Sequence, residues 1–510
     1  MKFRNKSPLD IIIDRDSSVP IYLQIVQRIR DLINSGALLP GFRLPPERRL
    51  AEALGVNRST VFQAYRELKT DALVGAHVGR GTVVVHRASP ESELGEVRKL
   101  SWGQLVREGR TRQPDPLLRD LLQLTERQDV ISLAIGLPDP ELLPLEAFRE
   151  IQEKLFEDVG AQVMLHCPTE GHTPLRETLS EWMAMRAIHC DASEVLVLSG
   201  SQQGLDLAAR LFLDPGDTVI VEEPSYFGAL QVFRAAQARL IGVPTDSNGM
   251  CTDVLARILE RYRPKLIYTL PTYQNPSGAV MSLERRHHLL ELAYRHHIPI
   301  IEDDPYSELR YDGEPIPPLK ALDDHGYVLY LSTFSKILFP GLRIGWLVAP
   351  RPVINQFVLV KQAVDLHSNT PGQWIMDRFM RDGRYEPHIN SARNVYARRR
   401  DMMEEALIRH QIPDFTWRKP TGGFYFWCRL PDDVERSQLL TQAAEAGVSF
   451  LPGWPCFAFG TDESHVRLNF SYASPEQISE GVARLMAVVQ RATFEPPLAR
   501  RAQIGTSPIV

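Results

Sequence analysis

The chain has 510 residues, of which 44% are hydrophobic and 24% charged, and its formal net charge at pH 7 is −5. It is too long for one ordinary domain and apolar enough to bury more than one core, so we expect two folded units. The five cysteines are scattered and odd in number, which argues against a disulfide framework or a zinc cluster, and no apolar run approaches membrane-spanning length.

The amino-terminal part predicts three helices. Apolar residues recur at helical spacing over Pro20–Ser35, and a short helix over Arg48–Leu54 ends at Gly55. Asn57 is a good N-cap for another helix, which runs to about Thr70. Two short helices at a tight turn predict a helix-turn-helix, in which the start of the second helix meets base edges.

The next segment has the pattern of a hairpin wing. Two apolar stretches, Leu73–Val74 and Thr82–Val85, flank a loop that contains glycines. Residues 1–86 carry 13 Lys and Arg against 8 Asp and Glu, a net +5, which leaves −10 for the rest. A basic head on an acidic body suits phosphate binding, although a small α+β appendage is the other interpretation of this unit.

Composition divides the chain into four parts. Residues 9–86 form the predicted head, and the polar, broken stretch 87–112 is a predicted linker. Residues 113–492 form the predicted large domain. Residues 493–510 have no periodic pattern and are a predicted loose tail.

In the large domain, polar segments repeatedly follow buried strands. This arrangement is typical of open α/β sheets, which bind ligands beyond the carboxyl ends of their strands. Each segment alone also fits a turn or a helix cap. The four predicted strands are Val195–Leu198, Thr218–Val221, Lys265–Leu270 and Ile298–Ile301, and the polar segments after them are Ser199–Gly204, Glu223–Tyr226, Pro271–Gly278 and Glu302–Tyr306.

One further motif joins a lysine to an arginine. Ser335 and Lys336 are followed seven residues later by Arg343. A lysine amine can condense with the aldehyde of pyridoxal phosphate, and a guanidinium can bind two oxygens of its phosphate. A lysine after a serine is common on solvated surfaces, so the motif gains meaning from the strand-end segments upstream.

With these motifs in family order, the stretch from about Gln113 to Arg491 resembles the fold-type I aminotransferases. The resemblance implies an α/β fold with a smaller carboxy-terminal α/β subdomain, pyridoxal 5′-phosphate as the cofactor, and Lys336 as the residue that forms the Schiff base. It further implies that Asp303 pairs with the pyridine nitrogen and that Tyr226 stacks on the ring. The other implied cofactor ligands are Asn275 and Tyr306 at the ring hydroxyl, and Ser201, Gln202, Thr333, Ser335 and Arg343 at the phosphate.

Two more residues take roles from the same resemblance. Arg467 is similar to the family's arginine that binds a substrate carboxylate, and a surface arginine on an edge strand is the other interpretation. The family usually has a tyrosine where His166 stands, and this tyrosine reaches the neighbouring subunit's phosphate. Histidine can donate to a phosphate, with a different reach and a pH-dependent charge.

Residues Leu9–His86 resemble the GntR-type winged helix, on Arg43–Ala51, Leu54–Val61 and Gly79–Thr82. The resemblance implies that six residues lie at or near DNA. They are Arg43, Arg48, Arg58, Ser59, Thr60 and Arg80.

The two resemblances together, in this order, are similar to the MocR subfamily of bacterial transcription regulators. They imply a cytoplasmic homodimer, nucleoid-associated when bound to promoter DNA, whose aminotransferase-like domain senses pyridoxal phosphate, an amino compound, or both. The alternative is a working aminotransferase with an autoregulatory or vestigial head. No metal is expected, because the paired histidines His287–His288 and His296–His297 point to opposite sides of one helix.

Overall fold

The computed structural model describes residues 9, 11–15, 17, 19–77, 81–85, 129–436, 438–459 and 464–494. The chain divides into two compact units, residues 1–106 and 107–510. No helix in these described ranges is both long and apolar enough to cross a membrane. The predicted linker and most of the predicted tail lie outside the described residues.

The first unit is built on three helices and a two-stranded sheet. The helices are α1 (Ile21–Asn34), α2 (Glu47–Leu54) and α3 (Arg58–Thr70), and the strands are β1 (Val74–His77) and β2 (Gly81–Val84). The strands are antiparallel, with Val74 opposite Val84. One apolar core lies between these elements and includes Ile25, Ile29, Leu50, Val61 and Leu68. The elements agree with the predicted helix-turn-helix and wing.

Two local signals set the turn between α2 and α3. Gly55 ends α2 with a left-handed backbone, φ 61°, a conformation that glycine adopts without strain. The Asn57 side chain then accepts a hydrogen bond from the Ser59 amide and caps α3. The sequence therefore fixes where the second helix of the pair begins.

The second unit contains a mixed eight-stranded sheet in the order β4-β11-β10-β9-β8-β5-β6-β7. Strands β5, β6, β8, β9 and β10 are parallel, and β11 is antiparallel to both of its neighbours. The strands are β4 (Val195–Leu198), β5 (Thr218–Glu223), β6 (Arg239–Asp246), β7 (Gly249–Met250), β8 (Leu266–Thr269), β9 (Ile300–Asp303), β10 (Val328–Thr333) and β11 (Gly345–Val348).

Helices cover both faces of this sheet. Along β5, Val219 and Val221 pack into one apolar cluster while Ile220 packs into another, as the alternation of a strand requires. The helices around the sheet are α4 (Leu145–Asp158), α5 (Thr173–Ala184), α6 (Ser201–Phe212), α7 (Phe227–Ala235), α8 (Thr252–Arg261), α9 (Leu283–His296), α10 (Leu319–Leu322), α11 (Arg351–Asp365) and α12 (Thr370–Arg381). The sheet is thus buried on both sides, and its parallel strands end together at one rim.

A smaller α/β part follows in the chain. Its four-stranded sheet has the order β12-β13-β16-β15, and a short pair joins β14 to β3 (Ile131–Ser132). The elements are α13 (Tyr385–Arg409), β12 (Thr416–Trp417), β13 (Tyr425–Arg429), α14 (Leu439–Glu445), β14 (Val448–Ser449), β15 (Leu451–Pro452), β16 (His465–Asn469) and α15 (Pro475–Phe494). The α/β class with a smaller carboxy-terminal subdomain, as predicted, is confirmed.

Candidate cofactor site and nucleic-acid interface

A cavity of about 600 Å³ lies at the carboxyl rim of the large sheet. It collects side chains from strand ends, helix starts and the small sheet. Eleven of the residues predicted for the cofactor and the carboxylate line it: Ser201, Gln202, Tyr226, Asn275, Asp303, Tyr306, Thr333, Ser335, Lys336, Arg343 and Arg467.

Asp303 is the last residue of β9 and is 2% exposed. Its Oδ2 accepts a hydrogen bond from Tyr268 Oη at 3.0 Å, while its Oδ1 is buried and has no hydrogen-bond partner among the described residues. Burial raises the pKa of Asp303 to about 7. One carboxylate oxygen is therefore left to accept a proton-bearing group in the cavity.

Lys336 follows β10 in a single turn of 3₁₀ helix, Phe334–Lys336. Its Nζ donates to the carbonyl oxygen of Gly136 at 2.8 Å. Burial lowers the pKa of Lys336, so a larger fraction of its amine is neutral than for an exposed lysine. A neutral amine is the form that condenses with an aldehyde.

The start of α6 and the loop after Lys336 form one polar corner. Gly200 caps α6 with φ 90°, and Arg343 Nη2 donates to the Ser199 carbonyl oxygen at 2.9 Å. A Cβ on Gly200 would lie 2.5 Å from Arg343 Nη2, so this close approach requires glycine. The Thr333 hydroxyl donates to Ser335 Oγ at 2.9 Å. Helix amides, hydroxyls and a guanidinium thus converge as a phosphate group requires.

Tyr226 forms a wall of the cavity just before α7. Its hydroxyl donates to Gln202 Oε1 at 3.1 Å, and Gln202 Nε2 donates to the Gly228 carbonyl oxygen at 3.2 Å. A Cβ on Gly228 would lie 2.5 Å from the Tyr226 ring. The ring is consequently held in one orientation, with a flat surface available for stacking.

Arg467 enters the cavity from β16, which lies between β13 and β15. It is 3% exposed, and it donates to Asn275 Oδ1 and to the Ala134 carbonyl oxygen, both at 2.7 Å. Its guanidinium carbon lies 4.0 Å from the centre of the Tyr425 ring. The interpretation of Arg467 as a surface arginine on an edge strand is therefore wrong.

His166 does not line this cavity. Its Nδ1 lies 2.5 Å from Nε2 of His367, and the two rings meet edge to face with centroids 4.7 Å apart. His166 is exposed within one chain. Its contact with a neighbouring subunit's phosphate stays a prediction.

Sequence reasoning missed three residues that shape the cavity. Gly136 accepts from Lys336, Tyr268 binds Asp303, and Tyr425 packs on Arg467 while its hydroxyl lies 2.9 Å from that of Tyr306. A Cβ on Gly136 would lie 1.8 Å from the Tyr425 hydroxyl. Aromatic residues at alternate positions in strands signal such contacts only weakly, because core tyrosines have the same pattern.

The donor set fits pyridoxal phosphate. The unpartnered Asp303 Oδ1 suits a protonated ring nitrogen, and the corner around Gly200 suits a dianion. Lys336 lies in the same cavity with a lowered pKa. Within the described residues, no group of three or more His, Cys, Asp or Glu side chains could hold a metal ion.

Five of the six predicted DNA-contacting residues lie in the described part of the first unit. Arg43, Arg48, Arg58 and Ser59 are exposed, and Thr60 is half-buried. Arg58 also pairs with Glu47 at 3.1 Å, so part of its charge is balanced within the unit. Arg80 lies outside the described residues.

Two family models match the chain. Residues 128–485 match "Aminotransferase class I and II", and residues 21–84 match "Bacterial regulatory proteins, gntR family". Together these matches cover both units that the fold contains.

Some known proteins are similar to nearly the whole of this chain, and others are similar to its second unit. The HTH-type transcriptional regulator YisV of Bacillus subtilis is 34% identical over 94% of this chain and 97% of its own length. The probable rhizopine catabolism regulatory protein MocR of Rhizobium meliloti is 29% identical over 93% and 95%. Aromatic-amino-acid aminotransferase 1 of Thermococcus litoralis is 42% identical over 73% and 91%.

Among solved structures, the kynurenine aminotransferase of Pyrococcus horikoshii in complex with PMP has a TM-score of 0.75 and 39% identity. The likeness covers 78% of this chain and 99% of that one. The second unit accordingly has a fold-type I aminotransferase structure.

Proposed function

The chain belongs to the class I and II aminotransferase family and carries a GntR-family DNA-binding head. Because the similar protein MocR is a regulatory protein, we propose that this chain regulates transcription by sensing a ligand in its aminotransferase-like domain. Pyridoxal 5′-phosphate is the cofactor of that domain. The main support for this proposal is that Lys336, Asp303 and Arg343 line one cavity in a chain that also has a GntR-family DNA-binding head.

The shared cavity supports a specific set of proposed cofactor contacts. Lys336 binds the aldehyde, Asp303 Oδ1 accepts from the ring nitrogen, and Tyr226 stacks on the ring. Asn275 and Tyr306 bind the ring hydroxyl, and the phosphate ligands are Ser201, Gln202, Thr333, Ser335 and Arg343. When bound, the cofactor supplies an aldehyde for amines and a ring that withdraws electrons.

The proposed effector is an amino acid. Arg467 is buried and has an Nε without a hydrogen-bond partner among the described residues, which supports a role in binding a carboxylate. The cavity lining also includes the apolar side chains of Ile135, Leu137, Phe227 and Leu451. The cations among the described lining residues are Lys336, Arg343 and Arg467. With no other described cation for a second carboxylate, an apolar side chain on the effector fits this lining better than an acidic one.

The proposed output is a change in DNA binding by a homodimer. Lys336 would hold the aldehyde of the cofactor, and an amino acid would compete with the Lys336 amine for that group. Such a ligand shifts DNA occupancy only if it binds two conformations of the protein with different affinity. Two heads related by a dimer axis would read two half-sites, so a change in their spacing alters affinity.

A catalytic aminotransferase with an autoregulatory head is the second candidate. It is favoured by the eleven proposed cofactor and carboxylate ligands that line one cavity and by the 42% identity to an aminotransferase. Turnover also requires Lys336 to move protons in a closed site and the keto product to leave.

One set of measurements separates the candidates. The regulator predicts a yellow chromophore that Lys336→Ala abolishes, salt-sensitive binding to specific duplex DNA, and weaker effector binding in Arg467→Ala with the chromophore intact. Rapid turnover with an amino donor and a keto acid, without specific DNA binding, would favour the enzyme. Equal effector affinity in wild type and Arg467→Ala would remove the role of Arg467.

A further inference from the structure

An aromatic side chain stands exposed on the second helix of the helix-turn-helix. Phe62 lies in α3 with 53% of its surface accessible. Its neighbours Val61, Ala64 and Tyr65 are buried in the core of the head, so packing there does not require Phe62. Single exposed apolar side chains are common on protein surfaces, and covering this ring with a partner would be favourable.

Helix geometry groups Phe62 with three polar residues. Ser59 lies three residues before Phe62 and Arg66 lies four residues after it, while Gln63 lies four residues after Ser59. All three polar residues are exposed. At about 100° per residue, these four side chains fall within an arc of about 100°. The buried stripe, which consists of Val61, Ala64, Tyr65 and Leu68, is centred on the opposite side of the helix.

The chemistry of this face suits a duplex. Hydroxyl, amide and guanidinium groups bind base edges and phosphates. Exposed Arg43, Arg48 and Arg49 add positive charge to the same small unit. Such a charge pattern favours nucleic acid over an apolar protein partner. In the major groove, the apolar group that base pairs present is the C5 methyl of thymine.

We propose that Phe62 reads sequence by packing against the C5 methyl of a thymine in the major groove. This inference rests on the proposed DNA-binding function and adds the base that the helix prefers at one position of each half-site. Ser59, Gln63 and Arg66 lie on the same face and fix the register of Phe62 through polar contacts.

The test replaces thymidine with deoxyuridine, which removes only the methyl group. The full-length protein first selects a duplex from a random pool, and each thymidine of the selected site is then replaced in turn. We expect one replacement per half-site to weaken binding by wild type about fourfold, the effect of one buried methyl group. Phe62→Ala should bind the two duplexes equally, and Phe62→Leu should keep part of the difference.

The matched control is Phe42→Ala, which removes another exposed aromatic of the head, 41% accessible, outside α3. This variant should keep the full loss of affinity when deoxyuridine replaces the thymidine that Phe62 is proposed to contact. The inference is overturned if no deoxyuridine replacement weakens DNA binding by wild type. It is also overturned if Phe62→Ala retains the loss of affinity caused by deoxyuridine, which is the result expected if a protein surface covers the ring. If the full chain selects no sequence, the proposed function fails with it.

Discussion

At the residue scale, Asp303 shows how burial sets the chemistry of the site. Its carboxyl group is 2% exposed, and one oxygen has no hydrogen-bond partner among the described residues. Burial raises its pKa to about 7, whereas an aspartate in an unfolded chain has a pKa of about 3.9. The charged form is therefore costly until a cation in the cavity pairs with it.

This cost predicts a pH-dependent difference between wild type and Asp303→Asn. Between about pH 4 and pH 7 the Asp303 carboxyl binds more protons in the folded apoprotein than in the unfolded chain, so its contribution to the free energy of unfolding falls as pH rises through this window. Asp303→Asn lacks this dependence and should gain stability relative to wild type from pH 5 to pH 8. Urea unfolding of both apoproteins measures it, and a difference that is independent of pH would contradict the assignment.

At the scale of elements, an ion pair within α11 is joined to the start of α6 by a hydrogen bond. Lys361 is fully buried and donates to Asp365 Oδ1 at 2.8 Å. Asp365 Oδ2 accepts from Gln203 Nε2 at 2.7 Å, and the Ser199 hydroxyl lies 3.4 Å away. The end of one helix thus holds the loop that is proposed to bind the phosphate.

We predict that Asp365→Asn weakens both stability and cofactor binding. The change leaves the Lys361 ammonium buried without its charge partner, which costs about 3 kcal/mol of unfolding free energy. Loosening of the Ser199 loop should also lower the affinity for pyridoxal phosphate, measured by titration of the chromophore. Asp382→Asn, at the exposed end of α12, is the control and should change neither value. Unchanged cofactor affinity in Asp365→Asn would contradict the positioning role.

Elements also explain which parts of the site the sequence predicted. Asp303 follows the predicted strand Ile298–Ile301, so a local pattern placed it at the rim of the sheet. Lys336 follows β10, a strand that was not predicted, and was singled out by its motif with Arg343 instead. The contact of Arg467 with Asn275 joins residues 192 positions apart, and that of Lys336 with Gly136 joins residues 200 apart. Such contacts depend on how the smaller part packs on the sheet, which local periodicity does not report.

The start of the helix after β4 shows a limit of apolar periodicity as a signal. The segment Ser199–Gly204 was predicted as a polar stretch after a strand, and α6 begins inside it, at Ser201. Its first turn is polar because the turn lines the cavity. When the first turn of a helix binds a ligand through its amides, its residues are polar, and apolar periodicity then does not predict that turn.

At the scale of the whole molecule, one exposed apolar patch suggests where a second copy binds. Met164, Leu165 and Leu366 are 56–62% exposed and adjoin His166 and His367, whose rings touch. A second chain that covers this patch would bury apolar area and bring His166 close to the neighbouring subunit. Homodimerisation through this patch stays a proposal.

The patch predicts that Leu165→Glu combined with Leu366→Glu yields a monomer, because charges in a buried apolar interface are strongly unfavourable. Light scattering on protein eluting from a size-exclusion column measures the molecular mass in solution. Ile408→Glu, an equally exposed apolar residue at the end of α13, is the control and should leave the mass unchanged. A double variant with the mass of wild type would place the interface elsewhere.

A ligand in the cavity is proposed to change how the heads bind DNA. The most direct measurement is a footprint of the full-length protein on the DNA ahead of its own gene, with and without pyridoxal phosphate and a panel of amino acids. We predict a protected site whose extent or affinity changes with one ligand in wild type and not in Lys336→Ala. A footprint that is identical under all conditions, on protein that carries the chromophore, would contradict the account.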